Sequence, residues 1–109
     1  MSGAQARCAR AALADGTPVP TAEPSPPDQI VDPLATSDVL GTGWFAADAA
    51  GVRAGSTVVV VGDGAAGLMG VLAAREMRAA RIIAMSRHET RQKLALGHGA
   101  TDIVAARGE

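Results

Sequence analysis

Aromatic side chains are nearly missing from this 109-residue chain, which has one tryptophan, one phenylalanine and no tyrosine. Without large rings the interior must be filled by Val, Ile, Leu, Met and Ala, a set suited to close packing of helices on a sheet. Cysteine is scarcer still. The single Cys8 excludes an intrachain disulfide and any multi-cysteine zinc motif, so a reducing, cytoplasmic compartment is the expectation. A net charge of −1 offers no basic excess for nucleic acid or an anionic membrane surface. No apolar stretch approaches the roughly 20 residues of a transmembrane helix. Met1 to Leu13 carries Arg7 and Arg10 and no acid, but lacks the apolar core of a secretory signal.

Proline is absent after Pro33, and all six prolines fall between Pro18 and Pro33. Each removes an amide donor and biases its neighbour away from helix, so residues 18–33 are expected to run as extended or irregular chain. The shift in composition marks a boundary, with a compact unit starting near Leu34. Ahead of it, Ala4 to Ala14 is helical on propensity, and Asp15-Gly16-Thr17 is a turn signal equally suited to the end of a strand.

What is present is concentrated between Thr57 and Gly70. Val58 to Val61 form an apolar β-branched run of the kind found in parallel strands covered on both faces. Gly62-Asp63-Gly64-Ala65-Ala66-Gly67 then fits G-x-G-x-x-G, the turn that leads from a strand into a helix whose N-terminus receives a dinucleotide pyrophosphate. Gly62 permits the turn, Gly64 lets backbone approach the phosphates, and Gly67 lets helix lie close on strand. With 13 glycines, chance spacings are easy, so the motif gains its weight from the strand before it and the helix-forming run Ala65 to Met77 after it.

Around this turn the remaining elements fall into order. Thr36-Ser37-Asp38 can cap a short helix, and Gly43 to Gly51 reads as helical, with Trp44, Ala47 and Ala50 on one face and Gly51 as its stop. Leu68, Val71, Leu72 and Arg75 make the buried stripe of the helix after the glycines. Arg81 to Met85 is a second strand, apolar at successive positions and again expected to be covered on both faces. A helix follows to about Leu96, stopped by Gly97 or Gly99, and Asp102 to Ala105 is a third strand. The fold class is α/β: a partial Rossmann unit, β-α-β-α-β with three parallel strands, preceded by an extended proline-rich segment and a short helix.

From Leu34 to Glu109 the sequence resembles the cofactor domain of the medium-chain, zinc-dependent alcohol dehydrogenase family. The resemblance is carried by Ser37-Asp38-Val39-Leu40-Gly41-Thr42-Gly43, by Ala50 to Val58, by the glycine turn, by Arg81-Ile82-Ile83-Ala84 and by Gly99-Ala100-Thr101-Asp102. It implies residues 34–109 as the first half of a nicotinamide-dinucleotide domain. Residues 1–33 then become a catalytic-domain tail with its connector, in which Gln5 to Leu13 would be strand. It also implies hydride transfer between an alcohol and a carbonyl compound, with a catalytic zinc. Asp38 stands where the family places a zinc ligand, and a helix-cap role competes with that one. The remaining family ligands, a cysteine and a histidine, have no counterpart, and His88 and His98 read as surface histidines. No catalytic residue is assigned.

At the end of the second strand, where NAD-binding sites usually carry Asp or Glu, the chain has Ser86 and Arg87. A hydroxyl and a guanidinium suit a 2′-phosphate, which favours NADP over NAD. Ser86-x-x-Glu89 is also a capping box, an alternative account of Ser86 that leaves Arg87 free. Arg78 stands where glycine is common at the helix end, and must either avoid the left-handed region or bear about 1 kcal/mol. Phe45 replaces a frequent histidine. Because only half of the domain is supplied, the chain reads as a fragment, not catalytic alone. The alternative is a non-enzymatic nucleotide-binding or subunit-interaction module, pairing with a second copy or a partner through the exposed edge of the valine strand.

Overall fold

The computed structural model describes residues 26–29 and 31–105, together with residues 8, 13, 15, 16, 23 and 24. The alternatives for Ala4 to Ala14 lie almost wholly outside these residues. The turn does not: the Gly16 amide reaches the Leu13 carbonyl at 2.9 Å.

The proline-rich stretch is less extended than its composition suggests. Pro27–Gln29 is a 3-10 turn, closed by the Gln29 amide on the Pro26 carbonyl at 2.9 Å, and helix α1 runs Val31–Thr36 with Pro33 inside it. Pro33 sits in the first helical turn, where amides have no intrahelical acceptor, so its missing N–H costs nothing there. The Thr36 and Ser37 hydroxyls donate to the Pro33 and Leu34 carbonyls at 2.6 and 2.8 Å, ending the helix.

Helix α2 spans Val39–Ala49, starting earlier than the Gly43 expected, and Gly51 at φ 68 stops it. Its packed face also differs from expectation. Gly43 and Ala47 are buried, whereas Trp44 is 44 % exposed. A Cβ on Gly43 would stand 2.6 Å from both the Gly70 amide nitrogen and the Met69 carbonyl carbon, so small residues at this crossing bring two helix backbones into contact.

Strands β1 (Thr57–Val61), β2 (Arg81–Met85) and β3 (Asp102–Val104) form one parallel sheet in that order, Val58 opposite Ile82 and Ala84 opposite Ile103. Between them lie α3 (Ala65–Glu76) and α4 (Glu89–His98). Val71 and Ala74 of α3 and Ala95 of α4 pack with Ile82, Ala84 and Ala100, against which Val58, Val60, Leu68 and Ile103 rest. Both helices therefore cover the same sheet face, as two successive right-handed crossovers must.

The other face is open along β1, and here the reading of that strand as covered on two sides is corrected, whereas the outward Ile83 and Met85 of β2 are half-buried. Val59 is 54 % and Val61 78 % exposed. Successive apolar positions are suited to two covered faces, but the described residues supply helices for one. The buried stripe of α3 also shifts: Ala73 and Ala74 are fully buried, while Leu68 and Leu72 are only partly so, because α2 presses on a second flank of the helix. Arg75 contributes its stem, which lies where a Cβ on Gly99 would be.

Two contacts fix the N-terminal end of the sheet. Arg78 takes the left-handed conformation at φ 62, so the cost foreseen for a non-glycine residue is borne here. Its carbonyl accepts the Gly55 amide at 3.0 Å, tying the helix end to the lead-in of β1. At the same end Arg81, the first residue of β2, makes a two-pronged contact with Asp102, the first of β3: Nε to Oδ2 and Nη2 to Oδ1, each 2.9 Å. With the Thr101 hydroxyl 2.6 Å from Oδ2, this guanidinium holds the Asp102 carboxyl at a pKa of about 2.

Candidate functional site

The C-terminal ends of β1 and β2 open into a cavity of about 130 Å³ between Gly62-Asp63, Ser86-Arg87-His88 and Ala105. Ligands of open α/β sheets bind at this end, where the strands stop and the helices begin. The expected site residues of the glycine turn and of the β2 end are thus brought to one place, although 23 positions separate Asp63 from Ser86.

The turn is built by its glycines in distinct ways. Gly62 lies at φ 115, a conformation side chains rarely adopt. A Cβ on Gly67 would collide with the Gly62 carbonyl oxygen and stand 3.0 Å from its carbon, so this residue lets α3 start directly over the strand end. Gly64 is different. Its φ and ψ of −78 and 179 suit any residue, and a Cβ there would have no atom of the structure within 4 Å.

Gly64 is also the N-cap of α3, and no side chain caps the helix. The first bond of the ladder runs from the Leu68 amide to the Gly64 carbonyl at 2.9 Å. The amides of Ala65, Ala66 and Gly67 precede it and therefore point out of the helix end, where the dipole concentrates positive potential. Backbone donors without a side-chain cap, at the mouth of a cavity, are suited to an anion.

Ser86 is buried, at 5 % exposure, and every polar group on it is engaged. Its hydroxyl donates to Asp63 Oδ2 at 2.9 Å, its amide donates to the Val104 carbonyl at 3.0 Å, and its carbonyl accepts from Gln92 Nε2 at 2.7 Å. The capping box expected from Ser86 and Glu89 does not form. His88 is the N-cap of α4, without a side-chain cap, and Glu89 instead pairs with Lys93 one turn on at 3.0 Å. The box fails because α4 begins at Glu89 with His88 as its N-cap, which leaves Ser86 two residues ahead of the cap, and because the Ser86 amide is already taken by the Val104 carbonyl. Arg87 is exposed, and no described residue pairs with it.

Sequence reasoning missed Arg91. Its Nη1 lies 3.0 Å from Asp63 Oδ1 and 3.3 Å from the Asp63 carbonyl oxygen. The Ser86 hydroxyl above all, and Arg91 with it, hold the Asp63 carboxyl below the usual aspartate range against the opposing effect of desolvation. One signal was available: an acid inside a G-x-G-x-x-G turn, a motif suited to anions, calls for a compensating cation. Nothing in the spacing said which arginine supplies it.

Asp38 stands at the N-cap of α2, yet no cap bond is made by its side chain. Its Oδ1 faces the Thr42 hydroxyl at 3.4 Å, a weak contact on an exposed surface. Among the described residues, no three His, Cys, Asp or Glu side chains converge as a metal site would require. His98 Nδ1 lies 2.8 Å from the Leu94 carbonyl at the end of α4, far along the chain from Asp38.

No protein-family model matches the sequence. Among curated proteins, the chain is 40 % identical over 73 residues to an NADP-dependent isopropanol dehydrogenase of Entamoeba histolytica, covering 67 % of this chain and 20 % of that enzyme. It is 48 % identical over 59 residues to an L-threonine 3-dehydrogenase of Bacillus licheniformis, covering 54 % and 17 %. Among solved structures, a protein described as a zinc-binding dehydrogenase from Sinorhizobium meliloti, bound to NADP, superposes with a TM-score of 0.59 at 38 % identity over 61 % of this chain and 19 % of that one. The chain spans about one fifth of the length of these relatives.

Proposed function

From a chain that is a partial member of the medium-chain, zinc-dependent alcohol dehydrogenase family, we propose the following function. It forms the adenosine- and phosphate-binding half of a nicotinamide-dinucleotide site in an alcohol dehydrogenase-like oxidoreductase. NADP is its preferred ligand, and residues 34–109 are the first half of that domain, with residues 1–33 as the tail of a catalytic domain and its connector. The observation that carries this reading is Gly64. Neither backbone conformation nor internal packing accounts for a missing side chain there, and the approach of a ligand phosphate does.

The roles follow from the geometry. Gly62, Asp63, Gly64, Ala65, Ala66 and Gly67 form the phosphate turn, in which the amides of the helix start donate to the pyrophosphate and the helix dipole supplements them. Arg87, free of partners among the described residues, supplies charge for a 2′-phosphate, and Ser86 shapes the wall beside it. A bound nicotinamide cofactor would give or take the hydride. The residues of this stretch bind and orient the adenosine end and transfer no proton. Asp38 is the single ligand the stretch offers to a zinc site, and we derive no step through that metal.

A subunit-interaction role is the second reading, favoured by the open edge of β1. A groove of about 330 Å³ runs there between Gly43, Ala47, Val59, Val61, Gly67 and Gly70. An uncovered parallel strand with apolar side chains is suited to receive another strand, from a second copy or a partner. Fluorescence titration of the full chain with NADPH and NADH separates the two readings. Saturable binding, tighter for NADPH, supports the nucleotide site. No binding of either, with a concentration-dependent dimer in sedimentation, supports the interaction module instead.

A further inference from the structure

The Asp63–Ser86–Arg91 cluster contains a carboxylate where a phosphate site would be expected to exclude one. Asp63 is only 19 % exposed at its side chain, and it engages both neighbours that carry donors: the hydroxyl of Ser86 through Oδ2 and the guanidinium of Arg91 through Oδ1. Ser86 has one proton, and that proton is committed. Arg91, half exposed at the rim of α4, has its charge balanced by the same carboxylate. Among the described residues at this end of the sheet, Arg87 is left as the cation without a partner.

We infer that Asp63 is a specificity-determining residue which restrains the preference for a 2′-phosphate, by holding Ser86 as a hydrogen-bond acceptor and neutralising Arg91. This rests on the nucleotide reading above. With its proton given to Asp63 at 2.9 Å, and the His88 carbonyl a longer alternative acceptor at 3.4 Å, the hydroxyl of Ser86, a residue lining the cavity, has only lone pairs left to offer a ligand. Lone pairs accept from a ribose 2′-hydroxyl and repel a phosphate oxygen. The pair therefore does part of what an acidic residue at the end of the second strand does in NAD sites, with the charge supplied from the glycine turn instead. Arg87 pulls toward NADP and Asp63 tempers it.

The test compares 2′,5′-ADP with 5′-AMP as calorimetric ligands of the full chain, so that the 2′-phosphate is the main difference between them. Asp63→Asn removes the carboxylate charge and frees Arg91. It should tighten 2′,5′-ADP about tenfold, the factor one charge-assisted hydrogen bond supplies, and by clearly more than it changes 5′-AMP, which also meets the turn but lacks the 2′-phosphate. Arg91→Gln alone uncovers the carboxylate and should act in the opposite direction, weakening 2′,5′-ADP more than 5′-AMP. It also keeps the proposal testable if Asp63→Asn fails to fold. The double variant should lose the gain of Asp63→Asn. A purely structural role would move both ligands together, and equal changes for both in either folded variant overturn the proposal. If the parent chain binds neither ligand at millimolar concentration, the nucleotide reading fails and this inference with it; binding with an unaltered ligand ratio sinks the inference alone.

Discussion

Two glycines three positions apart in the same turn should respond to alanine in opposite ways. At Gly67 the new Cβ overlaps the Gly62 carbonyl oxygen and stands 3.0 Å from its carbon, and both are backbone atoms that no rotamer change can move. Helix α3 must lift from the end of β1, an overpacking cost of about 1–3 kcal/mol. At about 4–8 °C per kcal/mol for a domain of this size, the melting temperature of Gly67→Ala should fall by at least about 4 °C. At Gly64 the Cβ meets nothing within 4 Å, and φ −78, ψ 179 suits alanine. Loss of an N-cap preference and reduced freedom of the unfolded chain are each worth about 0.5–1 kcal/mol with opposite sign, so Gly64→Ala should melt within a few degrees of the parent. Its NADPH affinity should nevertheless drop about tenfold or more, because the methyl occupies the approach of the phosphates. Thermal denaturation by circular dichroism and NADPH fluorescence titration, run on both variants, give the answer. Equal melting losses, or a Gly64→Ala chain that binds NADPH like the parent, would refute the division of labour between the two residues.

Further consequences reach other parts of the fold. Arg78→Gly relieves a left-handed arginine and should raise the urea midpoint by an amount equivalent to about 0.5–1 kcal/mol, since glycine gives back part of the gain in chain entropy. Gly43→Ala drives a Cβ onto the Met69–Gly70 backbone at 2.6 Å and should destabilise by about 1–3 kcal/mol in the same assay. The Asp102 carboxyl titrates at about 2 in the folded chain against an ordinary 3.8, so the unfolded chain takes up the proton first. Its contribution to stability is complete above pH 3.8 and is lost as pH falls toward 2, and Asp102→Asn should flatten that acid limb in urea midpoints measured against pH. Val61→Lys, on the open face, should leave stability within about 0.5 kcal/mol of the parent. It should also shift any concentration-dependent dimer seen by sedimentation toward monomer.

The elements around the glycine turn were legible because local signals agreed. A β-branched run, three glycines and an uninterrupted helix former specify β1, the turn and α3 with little help from distant residues, and Gly51 and Gly99 stop their helices in the left-handed conformation. Where the reading slipped, tertiary contact decided. Pro33 looked like extended chain, but a first helical turn has no use for its missing amide. Trp44 looked like the buried face of α2, but only Gly43 and Ala47 let that helix reach the backbone of α3. Val59 and Val61 are apolar enough for a covered face that the described residues do not provide. At the site, the residue types of the turn and of Ser86-Arg87 were visible in the sequence. The Asp63–Arg91 pair was not, because a separation of 28 positions is closed by the parallel pairing of β1 and β2.

Amide chemical-shift mapping of the isotopically labelled full chain during an NADPH titration tests the central claim most directly. The account predicts saturable shifts largest at Gly64, Ala65, Ala66 and Gly67, with a second group at Arg87 and His88, and little change along α2. Shifts confined to the open edge of β1, or none at the helix start while NADPH binds, would contradict it.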